Sequence, residues 1–405
     1  MGDKPDGVLA GITILELGQV IAGNFGGVLL ADMGAEVIKV EPLTGDTARN
    51  PSIAPYRGES SIHLCMNRGK KSVSLDLKSD EGKELFLRLV EQADAVVDNF
   101  RPGVMTRLGI DHGELKKRNP DIVTVSVTGF GETGPSKDRP AFDLVVQAYS
   151  GHMYITGEPG RPPSRVGIPL ADIAGGIFAC LSVLAALAGR GVHGTGAHAD
   201  VSMLDSLVSM LSYDALEHLN SGRDVQRMGT AHSHMVPWQA FEVLDGHVVV
   251  AAREEKFWQR LCDALERPDL KQHALTADNT ARVTNRTWLV AELEAAFATK
   301  TKAEWMKILD EHDIPSGPVN DFSEVFTDPQ IVAREVVGVY DHSTLGAVRY
   351  VRSPSRFTGF DRPNLPAPML GEHTIDVLTK KLGLSDDQLQ SLAAAGHVIA
   401  WEAGR

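Results

Sequence analysis

Ile12-Thr13-Ile14-Leu15-Glu16-Leu17, an apolar stretch from Phe25 to Met33, and then Val37-Ile38-Lys39-Val40 form the run that sets the fold of this 405-residue chain. Two β-branched runs flanking a helical pattern read as one strand–helix–strand unit. The pattern repeats outward. Ser72-Val73-Ser74-Leu75, Ala95-Val96-Val97 and Ile122-Val123-Thr124-Val125-Ser126-Val127 are further short runs with few charges, and Ser79 to Gln92 reads as a helix between two of them. Strands alternating with helices predict a parallel sheet covered on both faces. The first part is therefore expected to be a Rossmann-like α/β layer. Ligands in such sheets bind beyond the carboxyl ends of the strands, where Gln19-Val20, Asn99-Phe100-Arg101 and Gly129-Phe130-Gly131 fall.

From about Gly222 the pattern changes. Ala240 to Leu244 and His247 to Ala251 flank Asp245-Gly246, which reads as a hairpin, and helical stretches follow at Lys256 to Leu265, Arg286 to Thr299 and Ala303 to His312. A second, smaller α+β domain is expected over residues 222–320, after a large domain over 1–221. Ile314-Pro315-Ser316-Gly317-Pro318-Val319 breaks the helices, and residues 321–405 are expected to return to the large domain.

Composition narrows the function. Hydrophobic residues at 43% and charged residues at 23% describe an enzyme-sized soluble protein. The opening residues lack a secretory pattern, and Ile173 to Leu187 is short for a membrane span, so a cytoplasmic setting without a membrane partner is expected. The formal charge of −13 argues against a general nucleic-acid surface. Phosphates remain possible ligands, because a local cluster holds them. Cys65, Cys180 and Cys262 are too scattered for a disulfide framework or zinc site. His232-Ser233-His234 lacks further ligands at metal spacing, so no metal is expected there and the histidines read as loop or substrate-pocket residues.

Gly129-Phe130-Gly131-Glu132-Thr133-Gly134 matches G-x-G-x-x-G after a strand, but Pro135 and Pro140 follow, and no helix is expected to open on Gly134 to receive a pyrophosphate. It reads as a turn beside a site. Asp172, in Val166-Gly167-Ile168-Pro169-Leu170-Ala171-Asp172, stands where a loop becomes an apolar helix read from Ile173 to Leu187. The helix dipole there favours an ionised carboxylate, which can act as a nucleophile. Gly175 and Gly176 would let an acyl group approach the backbone. An ordinary helix cap is the alternative reading of the same aspartate.

Several separated blocks carry a resemblance: Leu15-Glu16-Leu17-Gly18-Gln19-Val20-Ile21-Ala22-Gly23, Leu30 to Pro42, Asn67-Arg68-Gly69-Lys70-Lys71-Ser72, Asp98-Asn99-Phe100-Arg101-Pro102-Gly103, Leu170-Ala171-Asp172 and Pro368 to Thr374. As an ordered set they are similar to the class III coenzyme A transferases, the family that also includes formyl-CoA transferase and α-methylacyl-CoA racemase. The resemblance implies that Asp172 is the nucleophile of an aspartyl-anhydride mechanism, with no cofactor beyond coenzyme A itself. It implies that Val20, Ile21 and Ala22 line the adenine or pantetheine path. Leu75, Asp76, Leu77 and Lys78 would flank the adenosine, and Asn99, Phe100, Arg101 and Arg107 the phosphates. Lys39 joins them as a basic residue of the second strand, whereas Lys70 and Lys71 are expected to face solvent. Backbone amides at Gly129 and Gly131 or at the start of the Asp172 helix are candidates for holding oxyanions.

Phe142-Asp143 separates two chemistries of that family. The racemase branch carries a His-Asp pair here, because proton exchange at Cα needs an acid and a base. Phe142 replaces that histidine, so acyl-CoA racemisation is the runner-up. Asp143 is read as orienting near Asp172 or as capping a helix from Leu144 to Tyr149. The segment Gly229 to Phe241 resembles that of succinate–glutarate-type transferases, which points to dicarboxylates such as succinate, glutarate, itaconate, mesaconate, citramalate or malate. Arg165, His232 and His234 are candidates for the distal carboxylate. The family further implies an interlocked homodimer, with crossing linkers near Asn220 and Pro318. A non-catalytic CoA- or dinucleotide-binding regulator, with Asp172 as a mere cap, is the remaining alternative.

Overall fold

Thr13–Glu16 (β1) is buried along its whole length at the middle of a seven-stranded sheet. The computed structural model describes residues 7–361 and 363–401. The sheet strands that follow are Glu36–Glu41 (β2), Lys71–Leu75 (β3), Ala95–Asp98 (β4), Val123–Thr128 (β5) and His198–Ser202 (β6), all in parallel pairings. In space the order is β3-β2-β1-β4-β5-β6, with Val398–Ile399 antiparallel on the outer edge of β3. The chain builds outward from β1 on one side and then on the other. Its loops therefore diverge between β1 and β4, and the crevice at such a switch point is where ligands enter an open α/β sheet.

Alternation along the strands divides the core in two. Leu15, Ile38, Val73 and Val96 face a cluster completed by Phe86 and Leu89, while Ile14, Val37, Ala95, Val97 and Val125 face Leu30, Ala174, Ala179 and Val183. The second face is covered by Ala22–Asp32 (α1) and, further along the chain, by a long helix. Asp80–Val90 (α2) covers the first face, and the Ser79 hydroxyl caps it by accepting the Gly82 N–H. Both helices lie within a few residues of the expected bounds. β6 was not foreseen, because His198-Ala199-Asp200-Val201-Ser202 is an edge strand rich in polar residues.

Asp143–Tyr149 (α3) precedes the long helix, Leu170–His193 (α4), which ends on Gly194 in the left-handed conformation. At 24 residues α4 is longer than the sequence suggested, and by length and composition it could span a membrane. It packs instead along α1 and across β5, as a core helix does. Two glycines make the crossing close. A Cβ on Gly26 would lie 3.0 Å from the Gly176 carbonyl oxygen, and one on Gly176 would lie 2.8 Å from the Phe25 Cβ and 3.0 Å from the Ala22 oxygen.

The chain packs as two compact units, one of Met1–His152, Arg165–Gly222 and Ala333–Arg405, the other of Met153–Ser164 and Arg223–Val332. These divisions compare with the expected breaks after residues 221 and 320. In the second unit Trp238–Val243 (β7) and Gly246–Ala251 (β8) form the antiparallel hairpin, with Phe241, Trp258, Leu289, Phe297 and Trp305 at the core. Ser316–Pro318 (β9), read from sequence as a break, pairs with β8. Pro318 thus sits in a sheet and Asn220 in the last turn of the helix Ser212–Ser221, so neither lies in an extended linker.

Candidate active site

Asp172 occupies the third position of α4, whose N-cap is Pro169, so its own side chain caps nothing. The carboxylate is half-buried and accepts no hydrogen bond from the described residues. Burial, and next the nearby Asp143 charge, push its pKa up to about 7. The expectation that the helix dipole keeps this group readily ionised is corrected: desolvation and a like charge outweigh the dipole. An unbonded carboxylate is the better nucleophile for it, since no donor occupies its lone pairs and its basicity is raised.

Asp143 opens α3 and reaches across to α4. Its Oδ1 accepts the Ala171 N–H at 2.7 Å and its Oδ2 accepts a 2.7 Å bond from the Gln147 side-chain amide. Asp143 is therefore the cap of the helix that carries Asp172, satisfying an N–H that the chain itself leaves open. Gln147 is fully buried. It donates also to the Ile168 carbonyl at 3.2 Å and accepts the Val166 N–H at 3.0 Å, anchoring the approach to Asp172. Sequence reading missed Gln147; an amide inside an otherwise apolar helical pattern was the available signal. Arg165 is exposed and directly precedes Val166 in that anchored loop.

Ahead of α1 the loop from Gly18 to Ile21 lies over the switch point. Asn99 joins it to the end of β4, accepting the Gln19 N–H and donating to the Gln19 carbonyl, both at 2.8 Å. The Asn99 amide is thus engaged by backbone. Below this loop lies a buried charged cluster. Lys39 Nζ donates to the Gly18 carbonyl at 2.6 Å and the Asn24 Oδ1 at 2.7 Å, and pairs with Asp46 at 3.0 Å. Burial opposes the Lys39 charge, but Asp46, Glu16 and Glu41 outweigh it and hold its pKa above the ordinary value. Lys70 Nζ lies 2.8 Å from both Glu16 oxygens and 2.9 Å from the Asn24 carbonyl. The solvent-facing reading of Lys70 is thereby overturned: a carboxylate inside the sheet–helix layer needs a cation, and Lys70 supplies it. Lys71 is half-exposed and pairs with Glu36 at 2.6 Å. Lys39, buried by this cluster, has no free valence for a phosphate.

A cavity of about 230 Å³ opens beyond the ends of β1 to β4. Gln19, Leu75, Asp76, Leu77, Lys78 and Phe100 line it, so the residues expected at the adenosine and part of the phosphate site converge. Phe100 also borders a second cavity of about 340 Å³ with Arg101, Asp98, His112 and His198. Arg101 and Arg107 are exposed, and with Lys78 they have no ion-pair partner among the described residues. Val20, Ile21 and Ala22 bridge from this cavity toward α4, where the Ala22 carbonyl touches Gly176, one turn beyond Asp172.

The glycine motif ends β5 as an irregular loop, and no helix opens on Gly134. A Cβ on Gly129 would lie 2.1 Å from the Ala141 Cβ, and Gly131 has φ +84°, so both positions require glycine. Phe142 is 76% exposed at the cap of α3. His232 and His234 belong to the second unit, where the His234 N–H bonds the His232 ring at 3.0 Å and Arg223 contacts the His234 ring. Among the described residues no group of His, Cys, Asp and Glu is arranged to hold a metal ion.

A family model for CoA-transferase family III matches residues 9–374. A succinyl-CoA:glutarate CoA-transferase of Homo sapiens is 34% identical over 393 residues, covering 96% of this chain and 90% of its own. An acetyl-CoA:oxalate CoA-transferase of Acetobacter aceti is 36% identical over 364 residues, covering 89% of this chain and 92% of its own. The crystal structure of a CAIB/BAIF family protein from Brucella suis superposes with a TM-score of 0.83 at 34% identity, over 93% of this chain and all of that one. With a match of that extent and relatives of that identity, the chain belongs to CoA-transferase family III.

Proposed function

We propose that the enzyme moves coenzyme A from an acyl-CoA, with succinyl-CoA or another dicarboxylyl-CoA as donor, to a free dicarboxylic acid. The observation that carries the reading is Asp172: a half-buried carboxylate without a hydrogen-bond donor, at the start of a core helix beside the switch-point loop. Its oxygen attacks the thioester carbonyl, the C–S bond breaks, and CoA thiolate leaves an aspartyl–acyl anhydride. The thiolate then attacks the aspartyl carbonyl of that anhydride, releasing the donor acid and forming an aspartyl–CoA thioester. An acceptor carboxylate attacks this thioester to give a new anhydride, and the thiolate takes the acceptor acyl group, restoring Asp172. Each bond broken is matched by one formed of similar energy, so the sequence needs no cofactor other than the CoA it transfers.

Lys78 and Arg101 suit the CoA phosphates, because each lines one of the two cavities that Phe100 borders, and Arg107, exposed on the helix that follows, is a further candidate; none of the three has an ion-pair partner among the described residues. The dicarboxylate acceptor is supported by relatives named for glutarate, mesaconate and citramalate at 34 to 37% identity. The oxalate relative is about equally similar, so chain length of the acceptor is decided by assay. A homodimer is part of the same reading. Ile177, Leu181, Leu216 and Leu219 on α4 and the helix Ser212–Ser221 are between 47 and 80% exposed, an apolar surface suited to a second copy.

A panel of acyl-CoA donors against mono- and dicarboxylic acids, with products read by mass spectrometry, tests the assignment. Exchange between succinyl-CoA and glutarate or a C4–C5 relative is expected. Activity confined to monocarboxylates, or loss of α-deuterium without CoA exchange, contradicts it.

A further inference from the structure

Val20 is a β-branched residue at φ +59°, in the left-handed region where such side chains are strained. The surroundings hold it there. Val20 N–H donates to Asp46 Oδ1 at 3.1 Å, and Val20 carbonyl accepts from Asn24 Nδ2 at 2.9 Å. Asn24 Nδ2 also donates to Asp46 Oδ2 at 2.7 Å, and Lys39 ties Asn24 and Asp46 to the Gly18 carbonyl. With Asn99 on both polar groups of Gln19, successive backbone groups from Gly18 to Val20 are bonded by side chains rather than by neighbouring backbone. Asn24 and Lys39 are wholly buried and neither borders the cavity, whereas Asp46 lines it.

The strained turn connects two functional places. Gly18 and Gln19 line the cavity proposed for CoA, and α1 begins at Ala22, whose carbonyl oxygen sits against Gly176 one turn from Asp172. A relaxed turn would displace the path between the cavity and the nucleophile. We propose that Asn24, Asp46 and Lys39 are positioning residues that clamp the Gln19–Val20 turn in its strained form and so set the thioester of bound acyl-CoA against Asp172. This rests on Asp172 being the nucleophile. Asn24 and Lys39 stand behind the cavity wall and need not touch substrate to act, and Asp46 joins them to that wall.

The test uses the full chain in six forms: wild type, Asn24→Ala and Asn24→Ser, each with Val20 and with Val20→Gly. Two quantities are read, the rate at which succinyl-CoA acylates Asp172 in rapid-quench mass spectrometry and the affinity for free CoA. Asn24→Ala is expected to slow acylation about 100-fold, the scale of a misplacement near 1 Å, with little change in CoA affinity. Glycine adopts a left-handed turn without strain, so adding Val20→Gly is expected to recover about tenfold of that loss, a coupling between neighbours rather than a sum. Asn24→Ser, which also lacks the amide donor, carries the same expectation should Asn24→Ala fail to fold. Wild-type acylation rates in a folded clamp variant, or no recovery with glycine at position 20, overturn the proposal. Absence of any acyl adduct on Asp172 in the wild type defeats the nucleophile reading instead, and the two failures are told apart in one set of samples.

Discussion

The carboxylate of Asp143 accepts the Ala171 backbone N–H at 2.7 Å, so one acid caps the helix on which the next residue, Asp172, is the proposed nucleophile. A single contact therefore performs two tasks. It fixes the first turn of α4 in place, and it brings a second carboxylate near enough to raise the Asp172 pKa in addition to the effect of burial.

A pH profile should reveal this coupling. The attacking form is the carboxylate, so the acid limb of kcat/KM for the wild type is expected near pH 7, with rate rising as Asp172 ionises and levelling above it. Asp143→Asn removes the like charge and should move that limb to lower pH. The same change sets an amide against the Gln147 amide and is expected to destabilise the fold by about 1–3 kcal/mol, measured by urea unfolding. A limb that stays in place would show that burial alone raises the group.

Lys70 and Lys71 are neighbours in sequence with opposite roles. Lys70→Met leaves Glu16 without its main partner inside the core and should cost about 3–5 kcal/mol. Lys71→Ala removes a half-exposed pair with Glu36 and should cost under about 1 kcal/mol. Burial also pulls the Lys70 pKa down to about 8. Denaturant midpoints of the two variants decide the matter, and similar midpoints would contradict the buried placement.

Gly176→Ala tests the helix crossing. Its Cβ would fall 2.8 Å from the Phe25 Cβ and 3.0 Å from the Ala22 carbonyl oxygen, so the start of α1 must shift. A loss of about 1–3 kcal/mol is expected, together with a fall in kcat, because the moved segment joins the switch-point loop to the helix of Asp172. Unchanged melting temperature and turnover would show that the crossing has slack.

Arg101→Ala and Arg107→Ala should each raise KM for acyl-CoA about tenfold, the loss of one charge-assisted phosphate contact. Acyl-pantetheine, which lacks those phosphates, should be turned over equally by wild type and variants. Added salt should narrow the difference, since both side chains are exposed. Equal KM values for acyl-CoA would remove these arginines from the phosphate site.

Much of the sheet was legible because β1 to β5 are short β-branched runs whose burial matches their composition. β6 was not, since an edge strand with one polar face carries no such signature, and β9 was hidden under two prolines and a glycine. The reading of Asp172, and of Leu75, Lys78 and Phe100, which line one cavity, came from an ordered resemblance. What escaped was set by tertiary contacts. The Asp172 pKa depends on packing around α4, and the burial of Lys70 depends on Glu16, far away in the chain. Gln147 and Asn24 show their use only when the loops they bond are placed beside them.

The most direct measurement of the central claim is hydroxylamine trapping during turnover with succinyl-CoA, followed by digestion and mass spectrometry of the peptide that contains Asp172. A hydroxamate on Asp172, formed as activity is lost and absent without acyl-CoA, is the expected result. Inactivation with that peptide unmodified, or undiminished CoA exchange in Asp172→Ala, would contradict it.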